Sequence, residues 1–210
     1  QQANKLLDYQ VSHLITSAIP SQGVPLKEYV RLRRAGYDKL VPVVERRLRD
    51  DQGRLLEVLA TDLFAINSNV PKSDQDESTS IDPGNIGESF SGEAWLRFIQ
   101  PPYLTYIPSA LAISLAIEDG DELVTRDGVL LPPSKIIADR RGSNKLIMDI
   151  GAAMAVFQQD GFDYIAVTSG DQKQAEALVE LVQSPEFDRL KIAGNTEALD
   201  LTQLTESFHI

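Results

Sequence analysis

Between Ser143 and Asn195 three short apolar runs, KLIMDIG (145–151), DYIAVTSGD (163–171) and RLKIAGN (189–195), each reach a Gly beside an Asp or Asn. A helix-like segment follows each run, so the stretch predicts the repeating strand-loop-helix unit of an α/β sheet. Ligands of α/β proteins usually sit at loops leaving the carboxyl ends of strands, which singles out Asp149, Asp171 and Asn195.

Working towards the N-terminus, ELVTRDGVLLPPSKIIA (122–138) reads as a β-hairpin turning at Arg126-Asp127-Gly128, because Asp-Gly suits a tight turn. Ser109 to Ile117 reads as a helix. Before it, EAWLRFIQPPYLTYIP gathers Trp95, Phe98, Tyr103 and Tyr106. Such aromatics either seal a core or offer a partner surface, and Trp95, Tyr103 and Tyr106 are the interaction candidates among them.

Residues 71–92, PKSDQDESTSIDPGNIGESFSG, hold almost no apolar side chain. Such a stretch buries too little surface to offset its chain entropy and reads as a mobile linker or long loop. It divides the chain into a helical N-terminal region (1–70), the linker (71–92) and an α/β domain (93–210).

In the first region, Leu6, Leu7, Val11, Leu14, Ile15 and Ala18 fall at helical spacings before Pro20 and Gly23. Pro25 suits the first turn of a second helix, running towards Tyr37. Residues 40–49 and 55–66 read as helices, since Leu55, Leu56, Leu59, Leu63 and Phe64 share one helical face. The turn Asp50-Asp51-Gln52-Gly53 permits a hairpin of VPVVERRLR and RLLEVLATDLF instead.

With 210 residues, 42% hydrophobic and 24% charged, the chain can bury a sizeable core. No apolar run approaches the roughly 20 residues of a membrane span, so the chain reads as soluble. The net charge of −11 is uneven: residues 1–70 carry ten Lys/Arg against eight Asp/Glu, the remainder ten against twenty-three. An acidic body repels polyanions, which argues against nucleic acid as its partner.

No cysteine is present, which excludes disulfides, thiolate metal sites and thiol catalysis, and the two histidines, His13 and His209, lie near opposite ends. No Ser-His-carboxylate set can be assembled from them. The start at Gln1-Gln2 rather than Met leads us to expect that a preceding segment, whether targeting peptide, anchor or other sequence, has been removed.

Two arrangements could carry chemistry or binding. Asp139, Asp149 and Asp171, all near ends of apolar runs, could converge on Mg²⁺ and activate water against a phosphodiester, with Asp149 and Asp171 as metal ligands. The alternative is that each caps a helix or closes a turn, as Asp171 ahead of QKQAEALVELVQ suggests. The second arrangement is basic: Arg31, Arg33, Arg34, Arg46, Arg47, Arg49 and Arg54, with Glu45, Asp50, Asp51 and Glu57 interleaved at ion-pairing distances. We read it as a salt-bridged or partner-docking face, with Arg31, Arg33, Arg34, Arg46 and Arg47 as interaction candidates.

The order Lys145, Asp149 and Ser169-Gly170-Asp171 resembles the NYN branch of the PIN-like ribonucleases, and implies a Mg²⁺-dependent phosphoesterase or nuclease. The match departs where the family has a second Asp, since Lys173 stands there, and LFAINSN lacks the Asp that ends the family's first strand. If residues 145–171 instead form two strands joined at Asp160-Gly161, they look like the phosphate hairpin of actin-like domains, implying a partial nucleotide site at Asp149 and Gly151. Finally, TSGD could present backbone N–H groups to an anion. None of these is complete enough to assign the chain to a family.

The expectation is therefore an α/β or α+β protein, a non-catalytic interaction or regulatory module without a cofactor, forming the soluble part of a larger or membrane-anchored assembly with a protein partner. Mg²⁺ enters only under the phosphoesterase alternative.

Overall fold

A computed structural model describes residues 5–6, 9–62, 103–138 and 145–194. They form a mixed α/β fold of two compact units, the first built from residues up to 42 and from 160 onward, the second from the residues between them. The predicted linker, together with Trp95, Asp139, Asn195 and His209, lies outside the described residues.

The first unit contains β1 (Lys5–Leu6) paired with β2 (Tyr9–Gln10), then β3 (His13–Ser17), α1 (Leu26–Arg34), the start of β4 (Leu40–Arg49), β9 (Tyr164–Val167), α4 (Gln172–Gln183) and β10 (Leu190–Gly194). β3 lies between β10 and β9 and is antiparallel to both, with Ile15 opposite Ile192 on one side and Ile165 on the other. Ile15, Ile165 and Val167 are buried, as are Ala175, Leu178 and Val182 along the inward stripe of α4.

Of the helices expected in the first seventy residues, only α1 is present among the described residues. Residues 13–17 are strand, because Leu14 and Ile15 are completed by β9 and β10, which arrive some 150 and 180 positions later in sequence. A short apolar run satisfies helical and extended periodicity equally, and its pairing partner decides. α1 matches its prediction: Pro25 precedes it, Leu32 is its inward anchor, and Arg31, Arg33 and Arg34 favour its negative C-terminal end.

The second unit holds the rest of β4, then β5 (Leu55–Thr61), β6 (Thr105–Pro108), α2 (Ser109–Leu115), β7 (Ser134–Ile137), β8 (Lys145–Asp149) and α3 (Ile150–Val156). Here the preference for helices at 40–49 and 55–66 is corrected over 40–61 in favour of the hairpin, residues 63–66 lying outside the described residues: β4 and β5 are antiparallel from Val43 opposite Thr61 to Arg49 opposite Leu55. Leu40 to Val44 are all buried, so this end of β4 reads as a continuous apolar run rather than an alternation. β8 runs parallel to β5, β6 is antiparallel to β8, and β7 is parallel to β6.

The turn at Arg126-Asp127-Gly128 forms, with Gly128 at φ +81° donating its N–H to the carbonyl of Thr125 at 2.9 Å. The second run of that predicted hairpin does not continue, because Pro132 and Pro133 have no N–H for a ladder. SKII leaves it as β7. The strand-loop-helix reading of KLIMDIG and DYIAVTSGD holds locally, with a helix after each strand. The two-strand reading joined at Asp160-Gly161 does not: α3 intervenes, β8 pairs with β5 and β6, and β9 with β3. The phosphate hairpin of actin-like domains is therefore not formed.

Gly161 has another task. At φ +130° it lets the chain pass Val24, where a Cβ would lie 2.7 Å from the Val24 carbonyl oxygen, and Val24 and Phe162 exchange backbone hydrogen bonds of 2.7 and 2.9 Å.

Candidate functional site

Asp149 ends β8 and caps α3. Its extended backbone turns the carboxylate back over the helix start, where Oδ2 accepts the Gly151 N–H at 2.8 Å. A Cβ on residue 151 would meet that oxygen at 3.0 Å and the Tyr103 hydroxyl at 3.5 Å, so glycine leaves room for the cap. Asp149 is 8% exposed. Burial raises its pKa to about 6, opposed by backbone N–H groups led by that of Gly151 and reinforced by the charge of Asp62.

Asp171 is placed differently. It is exposed in the TSGD turn of the first unit, its Oδ1 accepts the Lys173 N–H at 2.9 Å, and its own N–H reaches the Ser169 hydroxyl at 3.2 Å. Lys173, which replaces the second Asp of the NYN pattern, thus supplies a capping N–H. The α4 N-terminus already carries its own carboxylate, which an external anion would have to displace. A shallow depression beside it is lined by Tyr37, Lys39, Ser169, Gln174 and Leu178.

The two carboxylates fall in different units, and each is engaged by its own helix. Among the described residues no group of three His, Asp or Glu side chains could hold a metal ion. What Asp149 and Asp171 demonstrably do is start helices.

The arginines divide between the units as well. In the first, Arg31 pairs with buried Glu28 at 2.8 Å and with Glu186 at 3.4 Å, and lies 4.4 Å above the ring of Phe187. Arg33 donates to the Asp38 carbonyl, and Arg34 is exposed. In the second, Arg46 lies 5.9 Å from the Phe157 ring, Arg47 pairs with Glu57 at 3.3 Å, and Arg54 pairs with Asp50 at 2.6 Å. Tyr103 is half-buried, whereas Tyr106 is enclosed in β6, where burial pushes its phenol well above the usual range.

One surface had no signal in a linear reading. Residues 123–131 fold back against the tip of the β4–β5 hairpin, with Thr125 opposite Asp50 and Val124 opposite Leu130. Asp50, Leu123, Thr125 and Leu131 point inward and are buried. Arg49, Leu55, Val124, Arg126 and Leu130 are exposed on the other side. No helix of the described residues is long and apolar enough to cross a membrane.

No family model matches this sequence, and no curated protein does. Among solved structures, one that matches is the extracellular domain of the noncanonic ABC-type transporter YknZ from Gram-positive bacteria, at a TM-score of 0.55 and 11% identity. The alignment covers 88% of this chain and 100% of that one. At that identity the likeness is one of fold.

Proposed function

We propose that this chain is a non-catalytic interaction module standing outside the membrane as part of a transport assembly. The observation that carries the reading is the fold match, which takes in the whole of a transporter's extracellular domain and most of this chain. The polar clusters are in keeping with it. Asp149 and Asp171 serve as caps, and Arg31 and Arg54 tie secondary elements together.

The test is made in cells with the full-length gene product. A fused alkaline phosphatase, active only outside the cytoplasm, is expected to be active, and cross-linking in membranes is expected to join this chain to a transport subunit. An inactive reporter together with a cross-link-free chain overturns the reading. Mg²⁺-stimulated hydrolysis of RNA, DNA or nucleotides that disappears in Asp171→Asn would replace it with the phosphoesterase.

A further inference from the structure

The hairpin tip of the second unit carries a surface that its own packing does not use. Arg49 is opposite Leu55 in the β4–β5 ladder. Beyond it, the Arg126 N–H donates to the Arg49 carbonyl at 2.7 Å, and the Asp51 N–H to the Val124 carbonyl at 3.1 Å. The Thr125 N–H reaches Val129 at 2.8 Å, and the Leu131 N–H reaches Leu123 at 2.9 Å. These bonds flank the 50/125 and 124/130 pairs in the manner of non-hydrogen-bonded antiparallel pairs, whose facing side chains share one side of the sheet and approach closely.

Alternation then sorts the ribbon into two faces. The inner one is closed by buried Asp50, Leu123, Thr125 and Leu131. The outer one presents Leu55 at 56%, Leu130 at 51% and Val124 at 37% exposure, flanked by exposed Arg49 and Arg126. Single exposed apolar residues are ordinary, but three on one side of a four-segment ribbon form a patch.

Charge decides what fits. Arg47, two residues along the same side of β4, has its carboxylate in Glu57. Arg49 donates to the Gly53 carbonyl at 2.8 Å, and among the described residues neither Arg49 nor Arg126 has a carboxylate partner. In a chain of net charge −11, two such arginines beside an apolar cluster single out this tip. A two-fold contact between copies would bring four arginines into one interface, beside the exposed Asp51, Glu122 and Asp127 of each copy.

We infer that Arg49, Leu55, Val124, Arg126 and Leu130 form a docking surface for a partner protein segment in which apolar residues alternate with carboxylates. This assigns a surface to the interaction module proposed above and rests on that reading. Its test uses the isolated chain and a defined probe, so its failure is distinguishable from failure of the assembly experiment in cells.

The probes are two eight-residue peptides, one alternating Val with Glu, the other Val with Lys, titrated while backbone amide chemical shifts are followed. The Glu peptide is expected to shift the amides of residues 49–55 and 123–131 and to bind at least tenfold tighter than the Lys peptide. Leu130→Glu should abolish that binding. Arg49→Glu combined with Arg126→Glu should invert the peptide preference, a response that a merely structural role would not give; both variants change exposed side chains, and unaltered shifts elsewhere verify their fold. Absence of shifts, equal response to both peptides, or preference unchanged in the double variant overturns the assignment. Concentration-dependent shifts of the same amides without peptide would give the face to a second copy and overturn it equally.

Discussion

Arg54 holds Asp50 across the β4–β5 turn, Nε to Oδ2 at 2.6 Å, around a carboxylate only 1% exposed. Asp50 Oδ1 accepts the N–H groups of Gln52 and Arg54 at 3.0 and 2.7 Å, while Arg54 Nη1 reaches the Leu115 carbonyl at the end of α2 at 3.1 Å. One ion pair thus shapes the turn and anchors a helix end. Removing a single partner leaves the other charge buried without compensation. Arg54→Met is expected to cost about 3 kcal/mol, and the Asp50→Asn/Arg54→Met double variant less than the sum of its singles, measured by chemical denaturation.

Acid should report the same pair. Burial alone would raise the Asp50 pKa, but Arg54 and the two backbone N–H groups outweigh it and hold it below the ordinary 3.8. A depressed folded-state pKa contributes stability that is present above the unfolded value and lost as pH falls through the folded one. Unfolding free energy followed below pH 4 should therefore fall more shallowly in Asp50→Asn than in the parent chain; equal slopes refute this.

Asp149 predicts the opposite sign. Its pKa is raised from 3.8 to about 6, so the protonated form favours folding, and that contribution is lost as pH rises from about 4 through about 6. The parent chain should lose on the order of 2–3 kcal/mol over this window from that group. Asp149→Asn keeps a capping oxygen and should be flat there, and at pH 7 at least as stable as the parent. An unchanged slope in Asp149→Asn would count against the burial of that carboxylate.

Asp171 offers a plain capping test. Asp171→Ala should cost about 1 kcal/mol and Asp171→Asn a few tenths, since Asn caps comparably. A larger loss in Asp171→Asn, measured by thermal unfolding, would mean that the carboxylate does more than cap.

Gly161 and Gly120 separate strain from collision. Both have positive φ, +130° and +89°, but an added Cβ meets the Val24 carbonyl at 2.7 Å only at Gly161 and finds open space at Gly120. Gly120→Ala is expected to cost about 1 kcal/mol, and Gly161→Ala about 3 kcal/mol, because the 24/162 backbone pairing must also shift. Comparable losses in thermal denaturation would deny the close approach.

Local chemistry was legible wherever a residue acts on its sequence neighbours. KLIMD and YIAV, each followed by a helix, Asp171 before α4, Pro25 before α1 and Gly128 at its turn all work within a few positions. The candidate chemistry was less legible, because capping and metal binding ask for the same Asp at the same strand end. At Asp149 and Asp171 backbone N–H groups are the observed partners.

Composition and contacts a few residues long were enough to establish the α/β class, the acidic charge, the absence of thiol chemistry and the starts of α1 and α4. Residues 13–17 are strand because their partners β9 and β10 lie far along the chain, and at 40–49 and 55–61 the pairing across the Asp50–Gly53 turn, with β8 beside β5, chose the hairpin over the helices that the same residues allowed. Tertiary structure alone brought Arg49, Leu55, Val124, Arg126 and Leu130 to one face. A surface assembled by strand pairing over some seventy residues of separation leaves no periodicity for a linear reading to find.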